Sequence, residues 1–156
     1  MAFELAISPD HLRVYGYSRI FEGQSTDDFN EIPDIPAGVK KGRTNYIIQD
    51  DQDFCIQFNW KILGIFANFL GGGTWKCDVM FEQMGGGETY LNPSESTKDL
   101  GKPGQNYRVD VNVARHQLKP GVYRVVTRIQ YYFANGQPGP LVSFEDEGII
   151  QIYKDL

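Results

Sequence analysis

An all-β sandwich is the fold class this sequence predicts, and three observations predict it. Apolar and polar residues alternate with period two from about residue 44 onward. Aromatic residues make up 13% of the chain, ten Phe, nine Tyr and two Trp, and these residue types suit a pleated, half-buried surface. Short clusters of Gly, Asp, Asn and Pro separate the alternating runs, as turns do. A chain of 156 residues fits one domain whose core needs no cross-link. The expected organisation is an N-terminal extension over residues 1–43, with extra strands and a long loop, followed by the sandwich over residues 44–156.

Thr44 to Gln49 reads as a strand, and Asp50-Asp51-Gln52-Asp53 as the turn that follows it. Phe54 to Ile62 alternates strongly, and Thr74 to Met84 is the next strand, closed by Gly85-Gly86-Gly87. Glu88 to Leu91 predicts a short strand. Asn92 to Gly101 then changes character: Asn92 suits an N-cap, Pro93 the first helical position, Glu95 the third, and Gly101 a terminator. That order predicts a short helical turn. Asn106 to Ala114 resumes strand, with Tyr107, Val109, Val111 and Val113 inward. Val122 to Ala134 is the longest strand, with Tyr123, Val125, Ile129, Tyr131 and Phe133 as its core set. Pro140 to Ser143 and Gly148 to Tyr153 form the last strand, broken or bulged at Glu145-Asp146-Glu147-Gly148. Ahead of all these, Phe3 to Ile7 and Leu12 to Phe21 are candidate strands, and Gly23 to Gly42 reads as a long loop.

Leu118-Lys119-Pro120-Gly121-Val122-Tyr123 makes the fold more specific. It follows a valine-rich strand and opens the longest one, and it resembles the tyrosine corner of immunoglobulin-like antiparallel β-sandwiches. In that corner a tyrosine hydroxyl bonds back to the backbone just upstream. The resemblance spans roughly residues 44–153 and implies about seven strands, with Trp60 or Trp75 as a central core tryptophan. No cysteine accompanies Tyr123, so the resemblance is closer to fibronectin-type modules than to antibody domains. It implies no function, because the fold hosts many.

Charge and composition exclude several classes. A net charge of −5 with one short basic run, Lys40-Lys41-Gly42-Arg43, is the wrong electrostatics for nucleic acid. No apolar run reaches the length of a membrane span, and no secretory leader precedes the first strand, which leads to an expected cytoplasmic location. Alternation puts Cys77 inward and Cys55 on the face opposite Phe54, Ile56, Phe58 and Trp60. Both are therefore expected to be reduced thiols. His11 and His116 stand in no nucleophile motif, so an enzyme is not expected. The acidic turns at Asp50-Asp51-Gln52-Asp53 and Glu145-Asp146-Glu147 read as turn chemistry in preference to calcium ligands, and no cofactor or metal is expected. The triple-glycine runs lack the Lys-Ser/Thr of a phosphate loop.

Two surfaces stand out. Ile62 to Leu70 is apolar where a connection should be polar. Ile62, Ile65, Phe66 and Phe69 recur at helical spacing, which allows either a short helix capping the sandwich or an exposed patch for a partner. On the longest strand Arg124, Arg128, Gln130 and Tyr132 form an outward stripe. The expected function is a non-enzymatic protein-interaction module, an adaptor, assembly subunit or inhibitor, that binds another protein through its end-loops. The residues assigned to the partner are Ile65, Phe66, Phe69, Leu70, Arg124, Arg128 and Tyr132. The N-terminal segment is a further route to a homo-oligomer. The alternative is a carbohydrate-binding module using Tyr15, Tyr17, Tyr90 and Tyr132.

Overall fold

Side chains that alternate along a strand bury one face and expose the other, and two such sheets close on each other to make a core. The computed structural model of the chain describes residues 2–4, 8, 10–23, 46–85 and 90–154. Among them the strands are β1 (Ala2–Glu4), β2 (Arg13–Glu22), β3 (Ile47–Gln49), β4 (Phe54–Leu63), β5 (Thr74–Gln83), β6 (Tyr90–Leu91), β7 (Ser94–Lys98), β8 (Asn106–Val113), β9 (Gly121–Tyr132) and β10 (Pro138–Tyr153). A 3-10 helix, Ile65–Leu70, joins β4 to β5. The fold is all-β.

The larger sheet runs β1-β10-β9-β5-β6, with β3 pairing parallel to β10 and β7 pairing with β5. The smaller runs β2-β4-β8 and is antiparallel throughout. Their facing sides share one core. From the smaller sheet come Ile56, Phe58 and Trp60 on β4, with Val109, Val111 and Val113 on β8. From the larger come Trp75, Cys77, Val79 and Phe81 on β5, with Tyr123, Val125, Ile129 and Tyr131 on β9. Trp60 and Trp75 meet at 5.8 Å between ring centroids, and Trp60 stacks on Tyr107 at 5.5 Å. The Tyr123 hydroxyl, fully buried, donates to the Lys119 carbonyl at 2.7 Å.

Several expectations need correction. Asn92 to Gly101 is no helical turn: β7 lies within it and pairs with β5 from Thr74↔Lys98 to Asp78↔Ser94. Cap signals are local and modest, whereas the free edge of β5 offers a row of backbone partners. Phe133 leaves the core set, since the ladder ends at Tyr132 and Phe133 is 44% exposed. The core position missing from that set is Thr127, fully buried. Cys55 faces away from the core as expected, yet it is buried as well; neither cysteine is in a disulfide. Burial, with Asp78 beside it, pushes the Cys77 thiol far up.

The last strand is bulged where expected, between Asp146 and Gly148. Glu147, the extra residue of the bulge, is buried, and the Ser18 and Thr127 hydroxyls donate to its carboxylate. β2, from the first 43 residues, is a full member of the smaller sheet, paired with β4 from Arg13↔Leu63 to Glu22↔Phe54. Of the Phe3–Ile7 candidate only Phe3 and Glu4 are described, and the Gly23–Gly42 loop lies outside the described residues beyond Gly23.

Candidate functional site

The connection from β4 to β5 is short, apolar and tightly held. Gly64 adopts φ +105°, and a Cβ there would overlap the His11 carbonyl, so the chain passes in contact with the segment before β2. The Phe66 amide donates to that carbonyl at 3.0 Å, and the His11 and Phe66 rings lie 5.3 Å apart. Further on, the Tyr131 hydroxyl donates to the Leu70 carbonyl at 2.7 Å. Burial, with Asp99 adding to it, raises the pKa of that hydroxyl and keeps it a donor.

Asp99 completes the support. It is 3% exposed, and its carboxylate accepts from the Trp75 indole at 2.8 Å and from the Gly101 amide at 2.7 Å. Its backbone bonds to both Gly72 and Gly73, and the next amide, Leu100, donates to the Tyr107 oxygen at 2.9 Å. A buried carboxylate that satisfies an indole and a turn amide fixes one loop conformation.

On this frame the apolar side chains divide. Ala67 and Leu70 point into the core, so Leu70 is a buried anchor and not a contact residue. Ile65 and Phe69 point outward, 62% and 78% exposed, and Phe66 is half-buried against Phe69 at 5.6 Å. The segment is therefore both cap and patch. Two neighbours that alternation and cap signals hid extend the patch. Leu100, 56% exposed, projects from the connection hydrogen-bonded to Gly72 and Gly73. Phe133 begins the β9–β10 turn, with its ring 5.6 Å from Tyr131. Three connections thus bring four exposed apolar side chains to one end of the sandwich.

The Arg/Tyr stripe lies elsewhere, on the outer face of the larger sheet. Arg128 gives two nitrogens to Asp78, at 2.6 and 2.9 Å. The Tyr132 hydroxyl donates to Gln130 at 3.2 Å, and Arg124 pairs with Asp146 at 2.9 Å in the open. The tyrosines considered for sugar do not share a surface. Tyr17 is buried, and Tyr15 belongs to the outer face of the smaller sheet, opposite Tyr132. The Tyr90 side chain lies outside the described residues.

The acidic turns use their carboxylates locally. Asp53 accepts from the Arg115 amide at 2.8 Å, and Asp50 lies 3.9 Å from His116. Among the described residues no three His, Cys, Asp or Glu side chains converge on a metal site, and no helix is long and apolar enough to cross a membrane. No protein-family model matches the chain, and no curated protein matches it.

Proposed function

We propose that the chain is a non-enzymatic protein-interaction module that grips an apolar cleft of a partner with the loop end of its sandwich. The observation that carries this reading is Phe69, 78% exposed on a connection whose backbone is clamped from both sides. Ordering a loop costs free energy when it happens on binding; a loop already ordered binds without that loss. Exposed aromatic and aliphatic side chains on a rigid support have the character of interface anchors. Two buried cysteines outside any disulfide are in keeping with a reducing compartment such as the cytoplasm.

The finer fold assignment belongs to the same proposal. An immunoglobulin-like reading takes β2, β4 and β8 as the first, second and fifth strands of that fold, and β5, β9 and β10 as the third, sixth and seventh. The strand order supports it, as do Trp75 on the third strand and the bond from Tyr123 to Lys119. Binding through end-loops is one habit of such sandwiches.

The test is capture from lysate of the source cells with the wild type and with the double substitution Ile65→Ser, Phe69→Ser. Both side chains are exposed, so the variant should keep its stability to within about 0.5 kcal/mol and lose the captured protein. Retention of the same partner by the variant, or no partner for the wild type, would overturn the reading.

A further inference from the structure

We infer that the partner gripped by the loop end is acidic: its apolar cleft is rimmed with Asp and Glu carboxylates. The inference rests on the reading of that end as a protein-binding surface and names the chemistry of its partner. Lys98 and Lys102 stand two residues to either side of Leu100, and both are exposed. Their connection is packed against the one that bears Phe69, since a Cβ on Gly71 would lie 3.1 Å from the Gly101 Cα. Arg13, also exposed, pairs with Leu63 in the strand that runs into Gly64 and Ile65. The apolar strip from Ile65 through Phe69 to Leu100 therefore has a cation at one end and two at the other. Among the described residues Asp10 is the one exposed carboxylate at this end, because Asp99 is buried on the Trp75 indole and the Gly101 amide.

Charge is distributed unevenly over the molecule. The chain carries −5 in all, yet the exposed charges described at this end are positive in sum. Cations on the strands are neutralised in place: Lys76 and Arg128 on Asp78, Arg108 on Asp110, Arg124 on Asp146. The side chains of Arg13, Lys98 and Lys102 make no ion pair among the described residues. An acidic partner is repelled by the rest of the molecule and drawn to this end, so the charges orient the encounter. A planar anionic bilayer supplies the same charge but fits the shape less well. Phe133 stands at the base of its turn, which is closed by the bonds from the Phe133 amide to Gln137 and from the Gly136 amide to Phe133. The exposed Ala134-Asn135-Gly136 tip lies beyond it, so a flat surface would desolvate the polar tip before it reached the ring. A contoured protein surface takes the ring and leaves the tip in water.

The protein captured by the wild type, once purified, is the probe, and surface plasmon resonance at several salt concentrations is the measurement. Rim charges act on association and its salt dependence, whereas apolar anchors act on dissociation. Lys98→Glu with Lys102→Glu should slow association at least about tenfold at ~0.05 M salt, and the difference should shrink at ~0.5 M as the charges are screened. Arg13→Glu, on another element, should act in the same direction, which guards against a local folding fault. Lys119→Glu with Lys154→Glu makes the same change of net charge at the opposite end of the sandwich and should leave the rate within about twofold. Ile65→Ser with Phe69→Ser should instead raise the dissociation rate. Association indifferent to salt and to the Lys98 and Lys102 changes, with binding still weakened in the apolar variant, would overturn the acidic rim and leave the loop-end reading standing. Equal effects of the two charge-changed pairs would overturn it as well, since net charge alone then acts. No captured partner, or binding that survives the apolar variant, overturns the loop-end reading and this inference with it. Sedimentation of the wild type with phosphatidylcholine–phosphatidylserine vesicles, abolished by Phe69→Ser, would overturn the inference in favour of a lipid surface.

Discussion

Two tryptophans 5.8 Å apart have opposite polar fates. The Trp75 indole donates to the buried Asp99, whereas the Trp60 indole nitrogen has no hydrogen-bond partner among the described residues. Replacing Trp75 with Phe deprives a buried carboxylate of a donor; replacing Trp60 with Phe removes an orphan donor at the same time as it loses ring area. Urea unfolding should therefore show Trp75→Phe to be the more destabilising by about 1–3 kcal/mol. Equal losses would mean that packing alone matters at both positions. Single-residue chemistry was partly legible in the sequence. Phe69 and Ile65 betrayed themselves as apolar residues in a connection. Leu100 did not, because the segment around it carried helix caps, and Phe133 did not, because it continues the inward phase of β9 one step past the last ladder pair. Asp99 was invisible for a different reason: nothing in its neighbourhood marks a carboxylate as destined for burial, since its indole partner lies 24 residues away.

At the scale of elements, alternation located β4, β5, β8 and β9 to within a residue or two, because each turns one face of apolar side chains against the core. It failed at β7, whose Ser-Glu-Ser-Thr-Lys has almost no inward apolar residue to alternate with. An edge strand is recruited by the neighbour's free backbone, a property of the neighbour and not of its own sequence. The bonds from the Val79 amide to the Pro93 carbonyl and from the Asp99 amide to the Gly73 carbonyl fix which β7 amides face β5. By the antiparallel pattern Glu95 donates to β5 and Ser96 does not. Both side chains are exposed, so a proline at each isolates the backbone. Glu95→Pro should lower stability by about 1–3 kcal/mol, by orphaning the carbonyl of buried Cys77, and Ser96→Pro by clearly less. A reversed order in thermal melts would place β7 in a different register.

For the whole molecule the core sets a pH limit. Burial raises the hydroxyl pKa of Tyr107, Tyr123 and Tyr131, against a partly offsetting backbone hydrogen bond in the first two, and raises the Cys77 thiol as well. Unfolded, these groups release protons from about pH 9 to 10; folded, they hold them to higher pH. Over that interval the unfolded chain binds fewer protons, so stability falls as pH rises. Their contribution is intact below about pH 9 and is lost above it. Thermal melts should show a steady decline in Tm from there, reduced in Tyr123→Phe; a flat profile to about pH 11 would contradict the assignment. The bulge at Asp146–Gly148 has a consequence of its own at this scale. An unbroken strand keeps even and odd positions on opposite sides, yet Phe144 and Ile149 are both outside, and Ser143 and Ile150 both inside. The extra residue reverses the parity of β10 halfway along. One outer surface is thereby assembled from two half-strands of opposite phase, and Glu147, the residue at the changeover, goes inward. Shortening the chain by one residue there would exchange inside for outside on one half of β10 without altering any remaining side chain.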